Sequence, residues 1–166
     1  MSVEPRKLTR ADLRADFHSG ASELDEWLAK YAWQNQEAGN AVTYVITDGT
    51  RVIGYYAIAM AVVARTSVPE PLSKGRPQHL PCLLLARLAV DAEYSGRGLG
   101  WALLRDALLR SLQLSASVGA AAVLVHCRDD AARSFYLHHG DFLASPVNEL
   151  HLMVPVAALR KALGKR

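Results

Sequence analysis

Hydrophobic positions along the chain switch between a helical and a strand-like period. From Ser22 to Gln36, the residues Leu24, Trp27, Leu28, Tyr31 and Ala32 recur at helical spacing, and Ser22 followed by Asp25 reads as a reciprocal cap at the helix start. One face of this first helix is expected to pack inward. Residues 42–47 and 52–63 read as strands joined by the Asp48-Gly49 turn, a hairpin signal. Residues 67–81 hold four of the seven prolines, which predicts an irregular excursion with at most a short helical turn. A strand over 83–90, a helix from Leu99 to about Ser115, a strand over 121–127 and a helix from Asp129 to about His139 follow. A last strand, 149–154, precedes Pro155 and a short amphipathic C-terminal helix. No internal repeat or low-complexity segment interrupts the pattern.

Composition narrows the class. With 166 residues, of which 51% are hydrophobic, the chain is long enough to bury one sizeable core and too short for two ordinary domains, so 1–166 is expected to form a single domain. Residues 1–16 are polar and charged, and no apolar run approaches the roughly 20 residues that span a bilayer, which points to a cytoplasmic protein without a membrane partner. Cys82 and Cys127 are far apart and lack neighbouring ligand pairs, so neither a disulfide framework nor a metal site is expected. Cys127 should close a buried strand.

The most informative stretch runs from Leu83 to Ala107. An apolar strand feeds Gly96-Arg97-Gly98-Leu99-Gly100, and these glycines open an amphipathic helix. Glycines let the backbone approach an anion, and the unpaired amides and positive dipole end of a helix hold negative charge. The loop therefore reads as a phosphate cradle. A nucleoside triphosphate loop would end in Gly-Lys-Ser/Thr, whereas Trp101-Ala102 follows Gly100 here. A dinucleotide fingerprint needs a further glycine where Leu103 stands and an acidic residue after the next strand, which instead ends in His126-Cys127-Arg128.

The segment resembles the acetyl-coenzyme A loop of the GNAT N-acetyltransferases, Arg/Gln-x-x-Gly-x-Gly/Ala after a strand reading Leu-x-Val. Leu88-Ala89-Val90 supplies the strand and Gly98-Leu99-Gly100 the core of the loop, while Ser95 stands at the usual Arg/Gln position with Arg97 as the compensating cation. A second segment agrees. Asp129-Asp130-Ala131-Ala132-Arg133-Ser134-Phe135-Tyr136 followed by Gly140-Asp141-Phe142 is similar to the family's Asn-x-x-Ala-x-x-x-Tyr…Gly-Phe signature, with Asp129 in place of Asn and Asp141 interrupting Gly-Phe. The resemblance implies an α/β (α+β) fold with a central mixed sheet, two splayed parallel strands and flanking helices. It implies acetyl-coenzyme A as co-substrate, held by Leu88, Ala89, Val90, Ser95, Gly96, Arg97, Gly98, Leu99, Gly100, Trp101, Asp129, Ala132 and Phe135. Tyr136 is its implied general acid: a neutral phenol with a pKa near 10 can protonate the departing thiolate.

The N-terminal half bears on the acceptor. Phe17-His18-Ser19-Gly20, Glu23-Leu24-Asp25-Glu26-Trp27-Leu28, Tyr31-Ala32-Trp33-Gln34-Asn35-Gln36, Gly54-Tyr55-Tyr56 and Leu84-Leu85-Ala86-Arg87-Leu88 resemble the acetyltransferase toxins of bacterial type II toxin–antitoxin pairs, with Ala86 where glycine is common. That likeness implies aminoacyl-tRNA as acceptor, a ribbon-helix-helix-type antitoxin and a homodimer, for which the apolar 154–163 segment is the candidate surface. The α-amine suits the chemistry, since with a pKa of about 8 it is partly free at neutral pH, whereas lysine at about 10.4 needs a base. No carboxylate presents itself as that base, because Glu37, Asp91 and Glu93 lie at element ends, so a water chain or no base at all suffices for charged tRNA; His126, His138 and His139 could serve as bases, against a packing or surface role.

Charge completes the picture. Residues 49–128 carry nine basic and four acidic side chains against five and eight in 1–48, an excess that fits either coenzyme A's own phosphates or a nucleic acid. Arg87, on a central strand and costly to bury unpaired, is expected with Arg76 and Lys74 to contact acceptor-stem phosphates, an internal ion pair being the alternative. Two other functions stay open: acetylation of a small amine or protein N-terminus, and an inactive acetyl-coenzyme A sensor.

Overall fold

In the computed structural model, which describes residues 2–164, hydrogen-bonded strands follow the order β1-β2-β3-β4-β5-β7-β6. The strands are β1 Ser2–Lys7, β2 Val42–Asp48, β3 Arg51–Ala64, β4 His79–Val90, β5 Ala122–His126, β6 Leu143–Ala144 and β7 His151–Pro155. The helices are α1 Ser22–Lys30, α2 Ala32–Glu37, α3 Glu70–Ser73, α4 Leu99–Val118, α5 Asp130–His139 and α6 Val156–Leu163. β4 and β5 are parallel, while β1–β2, β2–β3, β5–β7 and β6–β7 are antiparallel, so the sheet is mixed. The chain forms two compact units, one from the N-terminal stretch to Ala59 plus Ala86–Ala107, the other from Met60–Leu85 plus the chain from Leu108 onward.

In the first unit, Leu28 and Ala32 of the two short helices bury against Val45, Val52, Tyr55 and Ala89, with Leu24, Trp27 and Trp33 packed around them. The expected single helix breaks at Tyr31, whose φ of −122° leaves helical geometry. The carbonyls near the break are taken up by side chains one turn on, Gln34 Nε2 donating to Lys30 O (2.6 Å) and Asn35 Nδ2 to Tyr31 O (2.8 Å). The expected cap also changes. Ala21 is the N-cap and no side chain caps α1; the Asp25 carboxylate instead accepts from Ser19 N (3.0 Å) and Ser19 Oγ (2.5 Å), bracing the loop ahead of the helix. Gln36 ties α2 to the sheet, donating to Leu8 O (2.9 Å) and accepting from Thr43 N (3.0 Å).

In the second unit, Leu80, Cys82, Ala122, Leu124 and Met153 form a core closed by Val68 and Leu72 of the proline-rich excursion. The excursion, entered from a 3-10 turn over Arg65–Ser67, contains the four-residue α3, the short helical turn expected there. β4 starts ahead of the expected Leu83 because Pro81 is accommodated near its beginning, where only its carbonyl is used, by Ala121 N (2.8 Å). The apolar residues of the C-terminal segment turn inward: Val154, Val156 and Leu159 are each at most 4% exposed. The 154–163 segment is thus part of the chain's own core and not the free apolar surface expected from the sequence. Cys82 and Cys127 are free and buried, and no described helix is long and apolar enough to cross a membrane.

Candidate functional site

β4 delivers Leu88, Ala89 and Val90 into a loop that Asp91 organises. Buried to 1% exposure, the Asp91 carboxylate accepts from Glu93 N, His18 N and Arg51 Nη2, each at 3.0 Å. Burial alone would raise its pKa, but the two amides and the guanidinium outweigh it and hold the carboxyl below its usual range. Ser95 ends the following 3-10 turn with its hydroxyl donating to Ala92 O (3.0 Å), so its side chain supports the loop. Gly96 and Gly98 have φ of +75° and +79°, a region open to glycine, and a Cβ at either would meet nothing within 4 Å. The backbone is therefore bare on the side where an anion would approach.

Leu99, 2% exposed, anchors the start of α4, whose first closing bond is Ala102 N to Gly98 O (3.0 Å). The amides of Leu99 and Gly100 precede that bond and have no carbonyl of the helix to donate to. Arg97 adds charge beside them, its guanidinium 4.9 Å from the centre of the Tyr94 ring. Trp101 is 38% exposed on the first turn. Bare glycine backbone, orphan amides, a helix dipole and an arginine fit a pyrophosphate.

In the second unit Asp129 is the N-cap of α5, accepting from Ala132 N (2.8 Å), and pairs with Arg128 at 2.9 Å. An aspartate does the capping that asparagine does equally well. Tyr136 is buried, with Phe135 and Phe142 edge-on at 5.2 and 5.8 Å between ring centres. Its hydroxyl has no hydrogen-bond partner among the described residues, and burial, aided by the nearby Cys127 thiol, raises its pKa well above the ordinary phenol value. Phe142 keeps its place despite the interposed Asp141, because Gly140 leaves it room; a Cβ there would lie 2.8 Å from the Phe142 ring.

Arg87, half-buried, has no carboxylate partner among the described residues. Its guanidinium lies 4.3 Å from the centre of the Trp27 ring, which stacks on Tyr55 at 6.1 Å and 12°, while Tyr55 Oη donates to Leu24 O (2.6 Å). Desolvation lowers the Arg87 pKa. The internal ion pair considered as its alternative is not formed. Arg87 belongs to the first unit, whereas Lys74, exposed, and Arg76, half-buried, stand in the excursion of the second. Trp27 was legible only as a core-facing helical residue, since nothing local in the sequence couples it to Arg87.

The second unit also holds a cavity of about 360 Å³. Its wall includes His126 and His151, cross-strand partners on β5 and β7 with ring centres 3.9 Å apart. Among the described residues no group of three or more His, Cys, Asp or Glu side chains could hold a metal ion.

The acetyltransferase (GNAT) domain model matches residues 39–140, which include both the glycine loop and Tyr136. The chain belongs to the GNAT acetyltransferase family. Among curated GNAT relatives, a tRNA-acetylating toxin of Mycobacterium tuberculosis (strain H37Rv) is 42% identical over 96% of each chain. A probable toxin TacT of Sinorhizobium fredii is 34% identical, covering 98% of this chain and 94% of its own. Of solved structures, AtaT complexed with acetyl-methionyl-tRNAfMet superposes with a TM-score of 0.87 at 23% identity over 95% of this chain and 97% of that one. A tyrosine-to-phenylalanine mutant of the AtaT toxin bound to the C-terminus of the antitoxin AtaR and acetyl-CoA gives 0.82 at 22% identity over 97% of each. These last likenesses show that the mixed sheet is the GNAT fold.

Proposed function

We propose that this chain is an acetyl-coenzyme A-dependent N-acetyltransferase that acetylates the α-amino group of aminoacyl-tRNA and, as the toxin of a type II toxin–antitoxin pair, blocks translation. The observation that carries this reading is the 42% identity, along 96% of both chains, with a tRNA-acetylating toxin. The site's geometry supports it residue by residue. Gly96 to Trp101 and the start of α4 hold the pyrophosphate of acetyl-coenzyme A, with Leu88 to Val90 running along its arm. The α-amine's lone pair attacks the thioester carbonyl carbon, the C–S bond breaks, and the electron pair leaves on sulfur. Tyr136, with its hydroxyl unspent, gives that sulfur a proton. Arg87, its face on Trp27 and its N–H groups without an acceptor among the described residues, is suited to an oxyanion of the acceptor stem, with Arg76 and Lys74 as further cations.

The remaining expectations belong to the same reading: one functional domain over the whole chain, a homodimer, a cytoplasmic setting and a ribbon-helix-helix-type antitoxin. Since Val154, Val156 and Leu159 are spent on the chain's own core, a second copy would dock elsewhere. The test is incubation with labelled acetyl-coenzyme A and total charged tRNA, with deacylated tRNA, polyamines and lysine-rich protein as parallel acceptors. Label on charged tRNA alone is expected. Label on a polyamine or protein with none on charged tRNA would replace the toxin reading with a housekeeping acetyltransferase.

A further inference from the structure

The 360 Å³ cavity in the second unit has no role in the chemistry so far. Its position does have one. The parallel β4–β5 ladder runs from Cys82–Ala122 to Leu85–Val125 and stops, whereas β5 remains paired with β7 for one residue more, His126 to His151. His126 is thus the first β5 residue beyond the point where the two parallel strands cease to pair. Side chains alternate along a strand, so Leu124 and His126 both face the cavity, and Cys127, next in the chain, faces the other way. Cys127 is the residue whose thiol acts on the Tyr136 hydroxyl. The end of β5 therefore carries a phenol on one side and an imidazole on the other.

Acyl transfer to an amine needs both: one group gives a proton to the leaving sulfur, another takes one from the attacking nitrogen. We infer that His126 is the proton acceptor for the attacking amine and that the cavity receives the aminoacyl group of charged tRNA, an inference that rests on the acceptor reading given above. Val62, Leu124 and Met153 give the cavity apolar wall for an amino-acid side chain, and Asn148 supplies a polar group next to the His151 ring, Nδ2 to Nε2 at 3.4 Å. In the balanced step the amine nitrogen forms the amide bond and loses one proton to His126 while the C–S bond breaks. The sulfur takes the Tyr136 proton, and solvent returns a proton from His126 to Tyr136, leaving N-acetyl-aminoacyl-tRNA and coenzyme A.

A base must be unprotonated before it acts. His126 is the exposed end of β5, yet desolvation of its ring by neighbouring atoms, with the His151 imidazole stacked against it, lowers its pKa below the ordinary value. His151 on β7 is the other ionisable lining group; the cavity's contributions from β3 and from the segment between β6 and β7, including Val62, Ala64, Ser145 and Asn148, are uncharged.

The experiment is the pH profile of kcat/KM for charged tRNA with wild-type protein, His126→Gln and His151→Gln, alongside calorimetric binding of acetyl-coenzyme A as a readout of intact folding. Two groups must lose protons in the wild type, the amine and His126, so log kcat/KM should climb with a slope of two on the acid side of both titrations. His126→Gln should reduce this slope to one and lower kcat/KM about 100-fold near neutrality, with acetyl-coenzyme A binding retained. His151→Gln should move the second acid limb upward, by the part of the shift that the stacked imidazole contributes. A wild-type slope of one, or a His126→Gln profile superimposable on the wild type, overturns the inference while the acceptor reading stands. Failure of the wild-type protein to label any charged tRNA overturns the acceptor reading itself.

Discussion

Tyr136 shows how a single side chain acquires its chemistry from its surroundings. Enclosed edge-on by Phe135 and Phe142, it is 7% exposed and spends its hydroxyl on no protein acceptor. Burial keeps the phenol protonated beyond its usual range, so at neutral pH it holds the proton that the proposed mechanism asks of it. Tyr136→Phe removes that proton while preserving the ring packing: kcat should fall about 100-fold with KM for acetyl-coenzyme A little changed, measured by steady-state acetylation of charged tRNA. An undiminished kcat would remove Tyr136 from the mechanism. The helix that carries Tyr136 was legible because its motif is local in sequence. The roles of two motif departures came only from the structure: Ser95 turned to Ala92 O and Asp129 capping Ala132 N each do short-range structural work. The Arg87–Trp27 contact was illegible, since it joins α1 to β4 across a fold whose pairing no local pattern encodes.

Among the elements, the strongly periodic ones stood out in the sequence, and those made by tertiary contacts did not. The β2–β3 hairpin, β5, α4 and α5 were expected within a few residues of their observed ends. β1 was not, because Val3 is 54% exposed and the strand's other residues are mostly polar; it owes its structure to pairing with β2. The break at Tyr31 was equally hidden, since helical spacing continues across it and only the later Gln34 and Asn35 side chains make it tolerable. The turn after β4 illustrates how such junctions are held. Asp91 binds two amides and Arg51 there, and its pKa lies below the unfolded carboxylate value. A depressed folded-state pKa contributes stability that is fully present above the unfolded value of about 3.9 and is lost as pH falls through the folded one. Asp91→Ala should therefore destabilise the protein by about 3 kcal/mol at pH 7 in urea titrations, and the difference from wild type should shrink below pH 4.

For the whole molecule, the net charge of +3 does not say which cations stand unpaired by a carboxylate. Several arginines are neutralised locally: Arg6 by Asp12 at 2.7 Å, Arg51 by Asp91 at 3.0 Å and Arg128 by Asp129 at 2.9 Å. Arg87 keeps its full charge because an aromatic ring, rather than a carboxylate, holds it. Phosphate contacts release counterions, so KM for charged tRNA should rise steeply with salt, each contact contributing roughly 0.7 to 0.9 to the slope of log KM against log salt. Arg87→Ala should flatten this slope by about one contact while leaving the salt dependence of the KM for acetyl-coenzyme A unchanged. An unaltered slope would assign Arg87 to packing alone.

The guanidinium resting on Trp27 also has a photophysical consequence. Indole emission responds to a charge moved near its ring, and drawing Arg87 toward an acceptor phosphate moves one. The chain has three tryptophans, and Trp27→Phe isolates the signal of this one. Mixing with charged tRNA in a stopped-flow fluorimeter should then show an emission change ahead of any acetyl transfer, so that docking and chemistry are timed separately in an unlabelled protein.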